Sequence, residues 1–130
     1  MRTGTINQPV LPVSAGASEV WSQVVSIPGG GKGLITKARF MPATNVTADA
    51  SDNADLSIEK NGSEIASEVT TSGDLGSLTA GTEVDMALVT TATTLEISDG
   101  DLLTFKKTHA NSGVLIDGTI TLDIEYYRGA

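Results

Sequence analysis

The chain contains 130 residues, with 16 acidic and 8 basic side chains, a formal net charge of −8 and no cysteine. This length is typical of a single domain with its own hydrophobic core. The acidic surplus disfavours partners with anionic surfaces, both nucleic acids and membranes. The absence of cysteine excludes disulfide bonds, thiol catalysis and cysteine-bound zinc.

Residues 1–17 are predicted to form an extended N-terminal arm ahead of a β-sandwich domain at residues 18–130. Pro9 and Pro12 oppose a helix in this segment. The segment nevertheless contains four apolar residues, Ile6, Val10, Leu11 and Val13. Two interpretations remain open: a disordered leader or a strand that closes the domain edge, or an arm that docks on a partner subunit through these four residues.

The rest of the chain has the composition of short strands separated by turns, with no convincing helix. Residues 108–113 are interpreted as a loop. The predicted strands are residues 20–27, 34–41, a hairpin at 54–69, 82–90, 93–97, 102–107 and 118–127.

Asn61-Gly62 makes the hairpin at residues 54–69 the most specific local prediction. This dipeptide suits the two left-handed positions of a type I′ turn, so two strands are expected to meet across a two-residue connection. In that register Lys60 faces Ser63 and Ile58 faces Ile65.

The strand at residues 118–127 fixes the fold class. Its apolar residues alternate with Thr, Asp and Glu, so one face is expected to lie on a core and the other to face water. A strand of this length needs partners on both edges or a covered edge, and we expect it inside a sheet. Together the segments predict an all-β, two-sheet antiparallel sandwich, similar to a jelly roll, with about eight strands.

The glycine-rich segment Gly29–Gly33 includes Lys32 and invites comparison with a phosphate-binding loop. A P-loop requires Ser or Thr after the lysine and then a helix that receives the phosphate. Here Gly33 follows Lys32 and the next segment has strand composition. We interpret the segment as a flexible loop between strands.

Other candidates for chemistry are few. The single histidine, His109, is interpreted as an exposed loop residue, because a catalytic triad would need further partners that the sequence does not place beside it. Asp49, Asp52 and Asp55 recur every third residue; a calcium site remains open, although solvated aspartates in turns are the simpler interpretation. We therefore predict no catalytic residue, no metal site, no cofactor and no enzymatic activity.

Three features of this chain occur together in one known family. An apolar N-terminal arm precedes an all-β body, the body contains the 54–69 hairpin, and within residues 95–103 two strands flank the turn at Gly100-Asp101. With the acidity and the richness in small and hydroxyl side chains, these features make residues 33–127 resemble the jelly-roll proteins that decorate tailed-bacteriophage capsids, the cement or head-decoration proteins.

The resemblance implies a structural virion protein that self-associates as a trimer or dimer on the outer capsid surface. Such a protein is made in the host cytoplasm, which agrees with the lack of an apolar run of signal-peptide length. Its partner would be the major capsid protein, whose neighbouring subunits it would bridge. Many modest contacts then add up to a large stabilisation of the shell.

The main alternative is a carbohydrate- or receptor-binding jelly-roll module of a fibre or surface protein. Such a module predicts exposed aromatic side chains or a calcium site in a loop. Only Trp21, Tyr126 and Tyr127 could supply a Trp or Tyr platform, and two of them, Trp21 and Tyr126, fit core faces.

Overall fold

The computed structural model of the chain contains two antiparallel β-sheets. It describes residues 2–70 and 74–127. The described elements are β1 (Arg2–Val10), β2 (Glu19–Val24), a 3₁₀ turn (Pro28–Gly30), β3 (Lys32–Pro42), β4 (Asn53–Lys60), β5 (Ser63–Val69), β6 (Val84–Met86), α1 (Ala92–Leu95), β7 (Glu96–Ser98), β8 (Leu102–Ala110) and β9 (Gly118–Tyr127).

The first sheet has the order β1-β9-β3-β6, with β7 also paired to β3, and the second sheet has the order β2-β8-β4-β5. Four pairs are nested along the chain: β1 with β9, β2 with β8, β3 with β6 and β4 with β5. A single long hairpin wrapped into two sheets has this pairing, which is the arrangement of a jelly roll. The predicted fold class is confirmed, and β7 is an addition to the eight-stranded plan.

β9 lies between β1 and β3, so the expectation that this strand is inside a sheet is confirmed. Its bounds match the sequence prediction, and its inward residues Ile120, Leu122 and Ile124 are buried. The side chains between them are only partly buried and lie on the outer face. The alternation of apolar and polar residues therefore predicts both the bounds of β9 and which of its faces lies on the core.

One hydrophobic core fills the space between the sheets. Its largest members, Phe40 from β3 and Phe105 from β8, are fully buried on opposite sheets. Most of the remaining core residues are Ile, Leu, Val and Ala, which agrees with a chain in which only 4% of residues are aromatic.

The hairpin of β4 and β5 is confirmed, but part of its predicted register is wrong. Asn61 and Gly62 both have positive φ, 49° and 87°, as a type I′ turn requires, and Lys60 pairs with Ser63. Ile58, however, pairs with Ala66, because the register shifts between Ile58 and Glu59. This β-bulge lets two successive residues of β5, Ile65 and Ala66, both enter the core.

The predicted strand at residues 82–90 is shorter in the structure, because the chain changes sheets within it. Val84–Met86 pairs with β3 in the first sheet, whereas Leu88 bridges to Ala66 in the second sheet. Between them, the Ala87 N–H donates to the buried Glu68 carboxylate at 2.7 Å. A side chain therefore replaces a strand partner at the crossing point.

The prediction that the chain has no helix is also wrong, because the structure contains a helical turn. Residues 92–95 form α1 where a strand at 93–97 was predicted, and only Glu96–Ser98 continues as β7. The Lys60 ammonium donates to the carbonyl oxygens of Thr93 and Glu96, at 3.1 and 2.7 Å. A cation at the C-terminal end of a helical turn stabilises its free carbonyl groups.

Candidate interaction surfaces

The four apolar residues predicted in the N-terminal arm have different environments. Ile6 and Val10 lie on β1, which pairs along its whole length with β9; Val10 is 2% exposed in the core, and Ile6 packs against it. Val13 is partly buried and Leu11 is 54% exposed. Partner binding by these residues stays a prediction, and Leu11 is the member whose side chain is available to a partner.

The aspartates at 49, 52 and 55 bind separate groups, two of them backbone N–H groups and one, at Asp55, the hydroxyl of Ser67. Asp49 accepts hydrogen bonds from the N–H groups of Asp52 and Ser51, which lower the pKa of its carboxyl group. The Asp52 carboxylate accepts one from Ser112 N–H. Burial raises the pKa of Asp55. Across residues 2–70 and 74–127, no three acidic or histidine side chains converge as metal ligands.

His109 is not in a loop, because β8 continues to Ala110 and His109 pairs with Ala54 of β4. Its Nδ1 lies 3.5 Å from the hydroxyl oxygen of Ser18. The glycine-rich segment lies between strands as predicted, with a 3₁₀ turn followed directly by β3. No helix in the described part of the chain is long and apolar enough to cross a bilayer.

A network of charged side chains covers the outer face of the first sheet. Arg39 on β3 donates to Asp123 at 2.7 Å and to both carboxylate oxygens of Glu83 at 3.1 Å, and these hydrogen bonds raise its pKa, Asp123 contributing the larger part. Lys37 lies 3.4 Å from Asp85. These contacts neutralise acidic side chains across three strands, so this face is polar and internally paired.

Glu96 ties together three strands at one end of the same sheet. Its carboxylate accepts a hydrogen bond of 2.6 Å from the Tyr127 hydroxyl and one of 3.0 Å from the Lys32 ammonium. The Tyr127 hydrogen bond is the main cause that lowers the pKa of Glu96, and Lys32 lowers it further. Tyr127 is thus engaged by Glu96 rather than presented as a free aromatic platform.

We predict that this site makes stability depend on pH in the acid range. Because the pKa of Glu96 is lower in the folded chain, the unfolded chain binds the proton first as pH falls. The stabilisation is therefore present above the unfolded value, 4.5, and is lost as pH drops through the folded value. Urea unfolding between about pH 3 and 7 should show a shallower decline for Glu96→Gln than for the wild-type chain. Identical slopes would contradict the prediction.

A fully buried lysine was missed by the sequence analysis. Lys107 of β8 points inward, and its ammonium donates to three carbonyl oxygens of the β1–β2 connection, those of Ser14, Ala15 and Ala17, at 3.3, 2.9 and 2.6 Å. We call residues 11–18 the strap. Burial lowers the pKa of Lys107. The signal was present in the sequence, because Lys107 continues the inward series of Leu103 and Phe105.

The two lateral sides of the sandwich differ in how their strand edges are covered. On one side, the β5 edge is covered by residues 87–89, where Val89 N–H donates to Ile65 C=O at 3.0 Å. On the opposite side, which we call the open side, β1 and β2 are each the last strand of a sheet, and neither pairs with a further strand within the described residues. The side-chain amide of Gln23 joins these two edges by donating to Asn7 C=O at 2.8 Å.

The open side also carries exposed apolar side chains. Val20 and Val24 project outward from β2, and Val24 is 67% exposed. Leu102, the cross-strand partner of Val24 on β8, is exposed as well. Aromatic side chains are not grouped there: Trp21 is only partly exposed and packs against the core. The exposed features of this side are thus a strand edge and aliphatic side chains.

No protein family matches the sequence, and no curated protein matches it. Among solved structures, the chain is similar to the structure of infectious bursal disease virus Gx strain, with 14% identity, a TM-score of 0.36, and coverage of 99% of this chain and 37% of that chain. For the Gt strain the identity is 11% and the TM-score 0.25, with coverage of 98% and 43%. For T=1 particles derived from the virus they are 9% and 0.18, with coverage of 98% and 41%.

This chain thus spans about two-fifths of the length of the viral chains that it matches. At these TM-scores the fold assignment rests on the nested strand pairing described above, and not on the matches.

Proposed function

We propose that this chain is a structural virion protein that binds the outer surface of a tailed-phage capsid. It acts as a homo-oligomer, a dimer or trimer, and bridges neighbouring major capsid subunits. The observation that carries the proposal is the open side. Two strand edges meet there, and exposed aliphatic side chains flank them. Strand edges and apolar patches of this kind are typical of sites that bind other proteins.

The N-terminal segment supports a role in bridging. β1 is held in the sheet by β9, and the chain then turns into the strap with Leu11 exposed at its start. An exposed apolar side chain at the end of this strand offers a partner a side-chain contact. Because every copy presents the same contact, occupancy of many equivalent lattice sites adds modest energies into one large stabilisation.

Sugar or receptor binding, the alternative, has less support. The described part of the chain has no group of exposed aromatic side chains, since Trp21 and Tyr126 pack against the core and Tyr127 binds Glu96. The three aspartates considered for calcium each bind different backbone or side-chain groups. Binding to immobilised glycans is the result that would favour this alternative.

The test is co-sedimentation of the full chain with purified expanded capsids of the phage that encodes it. Removal of residues 1–17 is a poor probe, because it would take away β1 and the carbonyl partners of Lys107 together. Leu11→Asp leaves both in place. We expect it to weaken capsid binding by about tenfold or more while the unfolding midpoint stays unchanged.

Leu115→Asp is the matched control, because Leu115 is exposed to a similar degree, 42%, but follows β8, outside the strap. Its capsid binding should equal that of the wild type. A wild-type chain that ignores capsids and binds immobilised glycans would overturn the proposal. Equal binding by Leu11→Asp and the wild type would remove Leu11 from the contact.

A further inference from the structure

The β2 edge differs from the β1 edge in how completely it can pair. On β1, Pro9 lacks an N–H group and the carbonyl of Asn7 already accepts a hydrogen bond from Gln23. Both features obstruct the addition of a further strand. β2 reads Glu-Val-Trp-Ser-Gln-Val, with no proline, glycine or lysine. Its edge therefore carries none of these common protections against pairing.

The direction of the β2 backbone groups follows from their neighbours. Immediately after β2, Val25 donates to Asp101 C=O and accepts from Gly100 N–H, both at 2.8 Å, so its N–H and C=O groups point towards the β8 side. These groups alternate in direction along a strand. The N–H and C=O groups of Val20, Ser22 and Val24 therefore point towards the open side.

Contacts on β8 agree with this assignment. Leu102, the cross-strand partner of Val24, directs its backbone towards β4: its N–H donates to the Asn61 side chain and its C=O accepts from Asn61 N–H, each at 2.8 Å. Val24 and Leu102 are thus a non-hydrogen-bonded pair, as alternation requires. At the other end, Val20 N–H reaches only the exposed Glu19 carboxylate at 3.4 Å.

From this geometry we propose that β2 binds β2 of a second copy of this chain across a twofold axis at Ser22. A twofold interface needs a surface that is complementary to itself, and the order Val20-Trp21-Ser22-Gln23-Val24 provides it. Val20 of each copy lies opposite Val24 of the other, and the two Ser22 residues face each other. The pairing forms about six backbone hydrogen bonds and joins two four-stranded sheets into one.

The outer-face side chains fit the same occupant. In this register Val24 gains Val20 of the second copy on one side while Leu102 stays on the other, so an apolar row runs across the junction. The only charged residue of β2, Glu19, stands at the strand end, and the twofold axis places the two copies of Glu19 at opposite ends. A second copy therefore covers Val20 and Val24 without placing like charges face to face along the strand.

This inference rests on the self-association part of the proposed function and does not depend on capsid binding, so the two can fail separately. The experiment measures the mass of the full-length chain in solution, without capsids, by sedimentation equilibrium over a range of concentrations. We expect a monomer–dimer equilibrium. Val24→Lys should weaken it by about tenfold or more, because a solvated ammonium group replaces the apolar contact with Val20 of the second copy.

Leu115→Lys serves as the control with the same change in charge and should dimerise like the wild type. Ser22→Pro is a second variant that removes the central N–H group, which β8 does not use. It should also give monomers, with the fold checked by circular dichroism. In the wild-type dimer, the amides of Val20, Ser22 and Val24 should be protected from hydrogen exchange, and this protection should disappear in Val24→Lys. A wild-type chain that is monomeric at every concentration would overturn the proposal, as would an oligomer in which these amides exchange freely or that Val24→Lys leaves intact.

Discussion

Leu122→Asp is expected to lower the free energy of unfolding by about 4 kcal/mol or more, which approaches the whole stability of an ordinary small domain. Leu122 is fully buried in β9, with Ile6 of β1 and Ala38 of β3 as its cross-strand neighbours. A carboxylate there would lie unpaired between the two sheets. Urea denaturation followed by circular dichroism would measure the loss.

Thr121→Asp is the control from the adjacent position, which lies on the outer face. Thr121 donates to the Asn7 side chain at 2.9 Å and pairs with Arg39 of β3. A carboxylate beside this guanidinium stays hydrated, so the free energy of unfolding should change by less than about 1 kcal/mol. Similar losses at positions 121 and 122 would refute the assignment of inner and outer faces on β9.

Lys107→Met is expected to lower the free energy of unfolding by about 2 kcal/mol and to loosen the strap. The substitution keeps most of the buried chain but leaves the carbonyl groups of Ser14, Ala15 and Ala17 without their donor. The net loss is smaller than the sum of three charge-assisted hydrogen bonds, because burial also disfavours the ammonium group, as the lowered pKa of Lys107 indicates. Amide exchange of residues 14–18 should accelerate together with the loss of stability.

Lys106→Met is the matched control, because Lys106 immediately precedes Lys107 on the same strand and points outward. Its ammonium group lies 2.9 Å from Glu59 in a pair that is partly open to solvent, so the loss should stay below about 1 kcal/mol. Equal stability of Lys107→Met and the wild type, with slow exchange in the strap, would show that the buried amine does not hold this segment.

The features that the sequence predicted well depend on local physics. β9 has a strict period of two, and Asn61-Gly62 supplies the positive φ angles of the turn between β4 and β5. Each could therefore be recognised from a few consecutive residues. The number of strands and the two-sheet class follow from the same signals. The nested pairing was not predicted, because it depends on which distant strands meet.

The errors arise where tertiary contacts override local preference. The bulge that brings Ile65 and Ala66 into the core shifts the hairpin register by one residue. The chain near Ala87 changes sheets because the Glu68 carboxylate takes the place of a strand partner. The burial of Lys107 depends on three carbonyl groups about 90 residues earlier in the chain, which the sequence does not place beside it.

The candidate surfaces were predicted less well than the fold. Four apolar residues near the N-terminus left two interpretations open, a leader or strand at the domain edge and a docking arm, and the chain uses Ile6 and Val10 in its own sandwich. The exposed edge at Val20 and Val24 could not be recognised, because a strand becomes an edge only through the order of the whole sheet. Sequence patterns report which residues face a core, but they do not report which backbone groups lack partners.

The pairing of β1 with β9 determines how this protein would carry mechanical load. Arg2 pairs with Tyr126 and Val10 with Gly118. The start of β1 therefore lies beside the end of β9, and the end of β1 lies beside the start of β9. Tension applied between Arg2 and Tyr126 would break the hydrogen bonds one at a time, starting from that end of the pair. Tension applied between Arg2 and Gly118 would shear all of them at once and meet far greater resistance. Anchoring at Arg2 and Gly118 would therefore make a strong link, and anchoring at Arg2 and Tyr126 would make a weak one.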